Sequence, residues 1–364
     1  MDNYKIHAVF KDNVKMADGD IKYIDDPKLS EKELKFLYRT MVLNRNLDGK
    51  MLNLQRQGRL GFYLTSTGEE ATHIGSAFAL EKNDWVIPCY REPGAALVRG
   101  FPLQDFINQC YGNSGDIQKG RQMPCHYGHR GSNLATISSP VGTQIPQATG
   151  FAWGAKIKGA KDVALVFFGD GATSQGDFHV GMNFAGVYKV PAIFFCRNNG
   201  YAISTPFSSQ TASDSIVIKA QAYGIEGVKV DGNDILAVVA VTQKARERAL
   251  NGKGPTLIEG LTYRIGAHST SDDPSAYRAD EELKGWQSKD PIERYKNYLK
   301  NQSIWNEDFE HKIQEETKDE INKAVEVAEK LGPPALETLF DDVYDRLPNH
   351  LQEQKAQCLS LFAK

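Results

Sequence analysis

Two oxygen-bearing side chains at the ends of two apolar runs carry the first chemical signal. VALVFF (163–168) runs into Gly169-Asp170-Gly171, and PAIFFC (191–196) runs into Arg197-Asn198-Asn199. One carboxylate, one amide oxygen and a main-chain carbonyl suit a hard divalent cation such as Mg²⁺, which takes few protein oxygens and completes its shell with phosphate. The glycines around Asp170 let the backbone approach a ligand closely. A helix after GDG would aim free N–H groups at a diphosphate, and Arg197 would add positive charge. Together these features read as a clamp for a metal-bound diphosphate.

GDG alone is a common turn, so the weight lies on the joint pattern of GDG, helix, buried strand and NN. DGATSQGD lacks the glutamate that closes an EF-hand loop. GDGATSQG does not supply the GxGxxG of a dinucleotide site. Elsewhere, His268 in IGAHSTSDDP is either a general acid-base group or a satisfied loop residue. Cys125-His126 reads either as nucleophile and base or as packing in a loop. Glu69 and Glu70 in TGEEATH form a carboxylate pair, expected on a helix beside the site with one of them paired to a base; they are left without a role.

The elements that must position these groups follow from periodicity. VALVFF and PAIFFC are short continuous apolar runs, as in strands buried on both faces. FHVGMNFAGVYK (178–189) between them is helical and rich in small residues. A β-α-β unit makes the two strands parallel, and GVKVDG, DILAVVAVTQKARERAL and PTLIEGLTYR continue the alternation. Ligands of such sheets bind outside the carboxyl ends of the strands, where both polar clusters lie. The expected fold is α/β, a parallel sheet flanked by helices. Residues 1–35 read as a polar N-terminal arm, 36–300 as the α/β domain and 301–364 as a helical extension. Ser30 and Glu33 form a capping box ahead of the first long helix.

The bulk composition narrows the partners. A formal net charge of −3 with interspersed signs leaves no basic stripe for nucleic acid. No apolar run is long enough to cross a bilayer. Five cysteines without CxxC spacing speak against a disulfide framework or a metal cluster. Residues 1–20 lack an apolar leader core and carry several aspartates, so the expectation is a cytoplasmic protein.

GDG followed at this distance by NN resembles the thiamine diphosphate motif. FFCRNNGYAISTP, CYREPG, GRQMPCHYG, SSPVGTQIPQATG and YRIGAHSTSDDPSAYR are similar to the alpha subunits of branched-chain 2-oxo acid dehydrogenases. More widely, they resemble the decarboxylating subunits of 2-oxo acid dehydrogenase complexes. The resemblance spans roughly residues 35–350. It implies Mg²⁺ held by Asp170, Asn199 and the Tyr201 carbonyl. Diphosphate contacts are implied for Arg197, Tyr90 and Arg91, with Gly169, Gly171, Ala172, Ala202 and Ile203 as further cofactor contacts. Ser139 and Val141 would lie beside the aminopyrimidine. Ser138, Pro140, Thr143 and Gln144 match a K⁺ site of some members, and Phe62 would line the substrate pocket with Tyr90.

By the same resemblance His268 is the active-site histidine, binding the diphosphate end and passing a proton during acyl transfer. Some relatives carry two consecutive histidines there; this chain has Ala267 first. Ser269 and Ser271 match serines phosphorylated in mitochondrial relatives, and as residues they read as solvated loop serines. The implied reaction decarboxylates a branched-chain 2-oxo acid through thiamine diphosphate and transfers the acyl group to lipoamide. The implied partners are a beta subunit in an α₂β₂ tetramer and a lipoyl-bearing acyltransferase core. A pyruvate or acetoin dehydrogenase alpha subunit would use the same clamp, and a non-catalytic scaffold subunit would keep the fold.

Overall fold

A computed structural model describes residues 4–12, 14–16 and 19–362. The remaining residues of the expected arm and extension (1–3, 13, 17, 18, 363 and 364) lie outside it. Among the described residues nine strands are formed: β1 (Ile6–Ala8), β2 (Ile21–Tyr23), β3 (Trp85–Ile87), β4 (Ala164–Gly169), β5 (Ala192–Asn198), β6 (Tyr201–Ala202), β7 (Thr205–Pro206), β8 (Glu226–Asp231) and β9 (Thr256–Leu261). Seven make one sheet in the order β2-β1-β8-β9-β5-β4-β3, and every pairing in it is parallel. β6 and β7 form a separate antiparallel hairpin.

The continuous apolar runs are explained by two cores, one on each face. Along β4, Leu165 and Phe167 enter one core, while Ala164, Val166 and Phe168 enter the other. Alternate side chains point to opposite faces, so a strand covered on both sides must be apolar at every position. Each fully buried Leu or Phe adds about 1.5–3 kcal/mol relative to exposure.

The first face carries α1 (Glu31–Arg56), α2 (Glu70–Phe78), α3 (Pro93–Val98) and α4 (Leu103–Tyr111). α1 starts at the expected box: Glu33 Oε2 accepts from the Ser30 N–H at 2.8 Å, and Ser30 Oγ accepts from the Glu33 N–H at 3.4 Å. The second face carries α5 (Gln144–Ile157) and α6 (Gly176–Tyr188). Gly181 of α6 lets the two helices approach, since a Cβ there would stand 2.9 Å from Ile145 Cγ2. The outer side of this pair leaves Phe151, Ile157, Val180, Val187 and Tyr188 exposed. α7 (Ile235–Leu250) returns to the first face and packs on α2.

The N-terminal region is not a free arm. β1 and β2 extend the sheet edge, and Phe10 is buried. The buried Asp234 carboxylate caps α7 through the Ala237 N–H (3.0 Å) and also accepts from the N–H groups of Val9 (2.7 Å) and Phe10 (2.6 Å). Residue 300 does not mark a break in packing either. After α8 (Asp280–Gln287), α9 (Pro291–Asn301) packs on α1, and α10 (Glu307–Lys330) sends Ile321, Val325 and Ala328 into the first core. α11 (Asn349–Phe362) has no buried residue, although the segment before it is tied to the body through Asp342 and Lys119 at 2.6 Å. No helix among the described residues is long and apolar enough to cross a membrane.

Candidate active site

Adjacent strand ends bring the two polar clusters together. β4 and β5 pair in register as far as Gly169 opposite Arg197, so Asp170 and Asn199 follow from neighbouring strand tips. Gly200, at φ +89°, turns the chain after Asn199 into the β6–β7 hairpin. Gly171 then admits the hairpin, because a Cβ on it would stand 2.6 Å from Ala202 Cβ. The result is a cavity of about 190 Å³ lined by Gly169, Asp170, Gly171 and Ala172 from the first tip. Arg197, Asn199, Tyr201, Ala202 and Ile203 line it from the second. Tyr90, Arg91, Val141 and His268 complete the part expected from sequence. A larger cavity of about 610 Å³ lies beside α7 and the β1–β2 edge and contains none of these residues.

Asp170 is the test of the cation reading. It is 1 % exposed and makes no ion pair among the described residues; its Oδ2 accepts from Gln210 Nε2 at 2.6 Å. Burial pushes its carboxyl up to about 6, against the pull of hydrogen bonds from Gln210 and the Asn199 main chain. A buried carboxylate without a positive partner is costly unless a cation joins it. No group of three or more His, Cys, Asp or Glu side chains converges among the described residues. From the two strand tips, Asp170 and Asn199 bring one carboxylate and one amide oxygen to the cavity wall, beside Tyr201. That hard, sparse oxygen set fits Mg²⁺ completed by phosphate rather than a thiolate or imidazole cage.

The arginines behave differently from the sequence expectation. Arg197 is buried and already neutralised: Nη1 donates to Glu69 Oε2 at 2.8 Å, and Nη2 pairs with Glu92. Its guanidinium thus serves the wall of the cavity more than an incoming anion. Glu69, to which the sequence alone assigns no role, is fully buried and touches three site residues. Besides Arg197, its Oε1 accepts from Asn199 Nδ2 at 3.1 Å and lies 3.8 Å from Arg91 Nε. Glu70 points away and pairs with Arg45 at 2.5 Å. The paired doublet was the only sequence signal for Glu69, and it could not say which member faced the site.

Arg91 binds the Thr65 carbonyl at 2.5 Å and the His268 carbonyl at 2.9 Å. His268 Nδ1 sits 3.3 Å from Arg91 Nη2 and 3.5 Å from Arg264 Nη1. Burial, then the two guanidinium charges, push the ring down to about 3, so it is neutral with Nδ1 as acceptor and Nε2 carrying the proton. The His268 N–H is tied to Asp272 Oδ2 at 2.7 Å, which also accepts from the Tyr277 hydroxyl at 2.7 Å. Arg264, not singled out from sequence, lines the cavity and donates to the carbonyls of Ile203 (2.7 Å) and Tyr201 (3.4 Å). Ile203 is held at φ +56°, a strained conformation for a β-branched residue and one concentrated at functional sites.

Other expected residues stand apart from the cavity. Phe62 packs, half-buried, on the first core and is not on the cavity wall. Ser139 is exposed and its Oγ meets His126 Nε2 at 2.9 Å, two residues before Val141. His126 Nδ1 meets the Pro124 carbonyl at 3.1 Å, so the ring is engaged away from Cys125, whose thiol is buried. That removes the nucleophile-and-base reading of the pair. In the loop expected to hold K⁺, buried Gln144 donates Nε2 to the Phe167 carbonyl at 3.0 Å; Ser138 and Thr143 are half-buried and Pro140 is exposed. Ser269 is half-buried and Ser271 exposed in the loop after His268.

Comparison with known proteins agrees with this geometry. The profile of the family described as "Dehydrogenase E1 component" matches residues 38–337. The chain is 46 % identical over 354 residues to "2-oxoisovalerate dehydrogenase subunit alpha 1, mitochondrial" of Arabidopsis thaliana, covering 96 % of this chain and 75 % of that protein. It is 48 % identical over 332 residues to "2-oxoisovalerate dehydrogenase subunit alpha, mitochondrial" of Mus musculus and to that of Homo sapiens, covering 91 % of this chain and 75 % of each. The cytoplasmic expectation is overturned: these relatives are named as mitochondrial proteins, and the make-up of residues 1–20 is no guide to compartment.

Proposed function

Because this chain belongs to the dehydrogenase E1 component family, we propose that it is the alpha subunit of a thiamine diphosphate-dependent dehydrogenase. The enzyme decarboxylates a branched-chain 2-oxo acid and transfers the acyl group to lipoamide. The observation that carries the reading is the meeting of Asp170, Asn199 and Tyr201 on one cavity with Arg91 and His268. The Asp170 carboxylate, the Asn199 amide oxygen and the Tyr201 carbonyl would hold Mg²⁺ against the diphosphate. Tyr90, Arg91 and the main chain of 169–172 would hold the phosphate oxygens. Ser139 and Val141 would flank the aminopyrimidine, and Ser138, Pro140, Thr143 and Gln144 would hold K⁺ and steady their loop.

When bound, thiamine diphosphate supplies the electron sink for breaking the bond between the carboxyl group and the 2-oxo carbon. The chain's own residues orient and neutralise. His268, neutral and fixed through Nδ1 by two guanidinium groups, offers its Nε2 proton to a phosphate oxygen or to the acyl acceptor. Asp272 holds the loop that carries it. Ser269 and Ser271 would be the modification sites on that loop. A beta subunit completes an α₂β₂ enzyme, and a lipoyl-bearing acyltransferase core receives the product. The exposed apolar residues Val141 and Ile203 at the cavity rim, and the apolar outer side of α5 and α6, favour burial against another chain.

Calorimetry of the assembled enzyme with thiamine diphosphate, with and without Mg²⁺, tests the reading. Metal-dependent binding is expected, and its absence would leave only a scaffold role. A panel of 2-oxo acids should then give the highest kcat/KM with the branched-chain member. A clear preference for pyruvate would refute the substrate assignment.

A further inference from the structure

Resting on that functional reading, we propose that Glu69 is a positioning residue that sets the cation affinity of the site. It does so by holding the Asn199 amide with its oxygen turned toward the cavity.

An amide side chain can face a cation with its oxygen or with its NH₂ group, and only the oxygen is a ligand. Glu69 decides between them. Its carboxylate can only accept, so the group facing it must be Nδ2, at 3.1 Å. Oδ1 is then turned the other way, where the Tyr201 N–H meets it at 3.3 Å and leaves a lone pair free. The constraint is stiff. Glu69 is fully buried, stands at the N-terminal boundary of α2, and is fixed from its second oxygen by Arg197 at 2.8 Å.

Glu92 supplies the internal control. It is equally buried and pairs with the same Arg197, and its other contacts are the N–H groups of Cys89 (2.9 Å) and Arg91 (3.0 Å). None of its contacts is with Asn199. A role in charge balance alone would make the two glutamates equivalent. Of the two glutamates, only Glu69 touches the amide that is aimed.

Glutamine at 69 has one oxygen for two donors. It can accept from Arg197 or from Asn199, and its own NH₂ then confronts the other, which favours rotation of the Asn199 amide. The reversed pair repairs this. With Glu69→Gln and Asn199→Asp together, the Gln NH₂ donates to one carboxylate oxygen and leaves the other for the cation.

The test measures free manganese(II) by electron paramagnetic resonance, with the assembled enzyme and saturating thiamine diphosphate, alongside thermal melting. Glu69→Gln is expected to raise the Mn²⁺ Kd by about 10–100-fold, the usual penalty for losing a group that orients a ligand, while Glu92→Gln raises it by less than about threefold. The double variant is expected to recover most of the loss. If Glu69→Gln does not fold, Asn199→Asp alone decides: facing Glu69 it should weaken binding, whereas ligand charge alone would tighten it. Equal losses in the two glutamine variants, no recovery in the double variant, or tighter binding by Asn199→Asp would overturn the proposal. Failure of the wild-type enzyme to bind Mn²⁺ with thiamine diphosphate would overturn the functional reading as well. Wild-type binding that Glu69→Gln leaves unchanged would overturn only the positioning role.

Discussion

Arg91 grips His268 twice, donating to its carbonyl at 2.9 Å and standing 3.3 Å from its Nδ1. The second contact adds to the effect of burial on how the imidazole titrates. Burial and the charges of Arg91 and Arg264 lower its pKa to about 3, from an ordinary 6.5. As pH falls below about 6.5 the unfolded chain takes up this proton and the folded one does not, so the stability is present above that pH and declines toward pH 3. NMR of the ring should show a neutral Nε2–H tautomer with no titration between about pH 8 and about pH 5. His268→Gln should flatten the acid limb of the stability curve.

Asp170→Asn should separate stability from binding. The buried carboxyl titrates at about 6 instead of 3.8, so an empty fold loses stability as pH rises through that interval. The neutral side chain removes the penalty and should stabilise the unliganded protein by about 1–3 kcal/mol at pH 7. Metal-dependent cofactor affinity should fall by about a hundredfold or more, since a ligand charge is lost. Calorimetry and thermal melting on one preparation read both signs.

Gly68→Ala should damage the site from a residue that touches no ligand. Gly68 has φ +97°, and a Cβ there would lie 2.5 Å from the Tyr263 carbonyl oxygen. Moving either strand of chain displaces the adjacent Glu69. A loss of about 2–4 kcal/mol in unfolding free energy is expected, with weaker cofactor binding.

Ser269→Glu tests the loop. Its backbone carbonyl accepts from the Asp272 N–H at 3.1 Å, and Asp272 anchors the His268 N–H. A negative charge there would repel Asp272 and a bound diphosphate, and cofactor affinity should drop by about tenfold or more. Ser271→Glu, at an exposed position, should cost less. Full activity of Ser269→Glu with normal cofactor affinity would reject this account.

The sheet was legible where the chain is buried on both faces. Runs such as VALVFF and PAIFFC leave no ambiguity once a helix separates them, and their polar ends then had to meet. β1 and β2 were not legible, because three residues are too few for a period of two to register. Sequence alone shows Arg197 as a positive charge near the diphosphate and hides its neutralisation, because its partners Glu69 and Glu92 are remote in sequence. Glu69 itself acquires meaning only through Arg91, Arg197 and Asn199, three contacts that exist after folding. Phe62 and Tyr90 both pack half-buried on the first core, yet only Tyr90 reaches the wall of the cavity around Asp170. Local pattern names residue types near a site; which way a side chain turns is decided by long-range packing.

The edge pairing of β1 carries a consequence for synthesis. His7 Nδ1 meets the Lys229 carbonyl across 222 residues of chain. On the ribosome, the β1–β2 pair must therefore wait until β8 has emerged before it can join the rest of the sheet. Until then the side of β1 that will meet β8 remains open to mispairing with other nascent chains, so chaperone demand should concentrate at this late closure rather than at the β4–β5 centre.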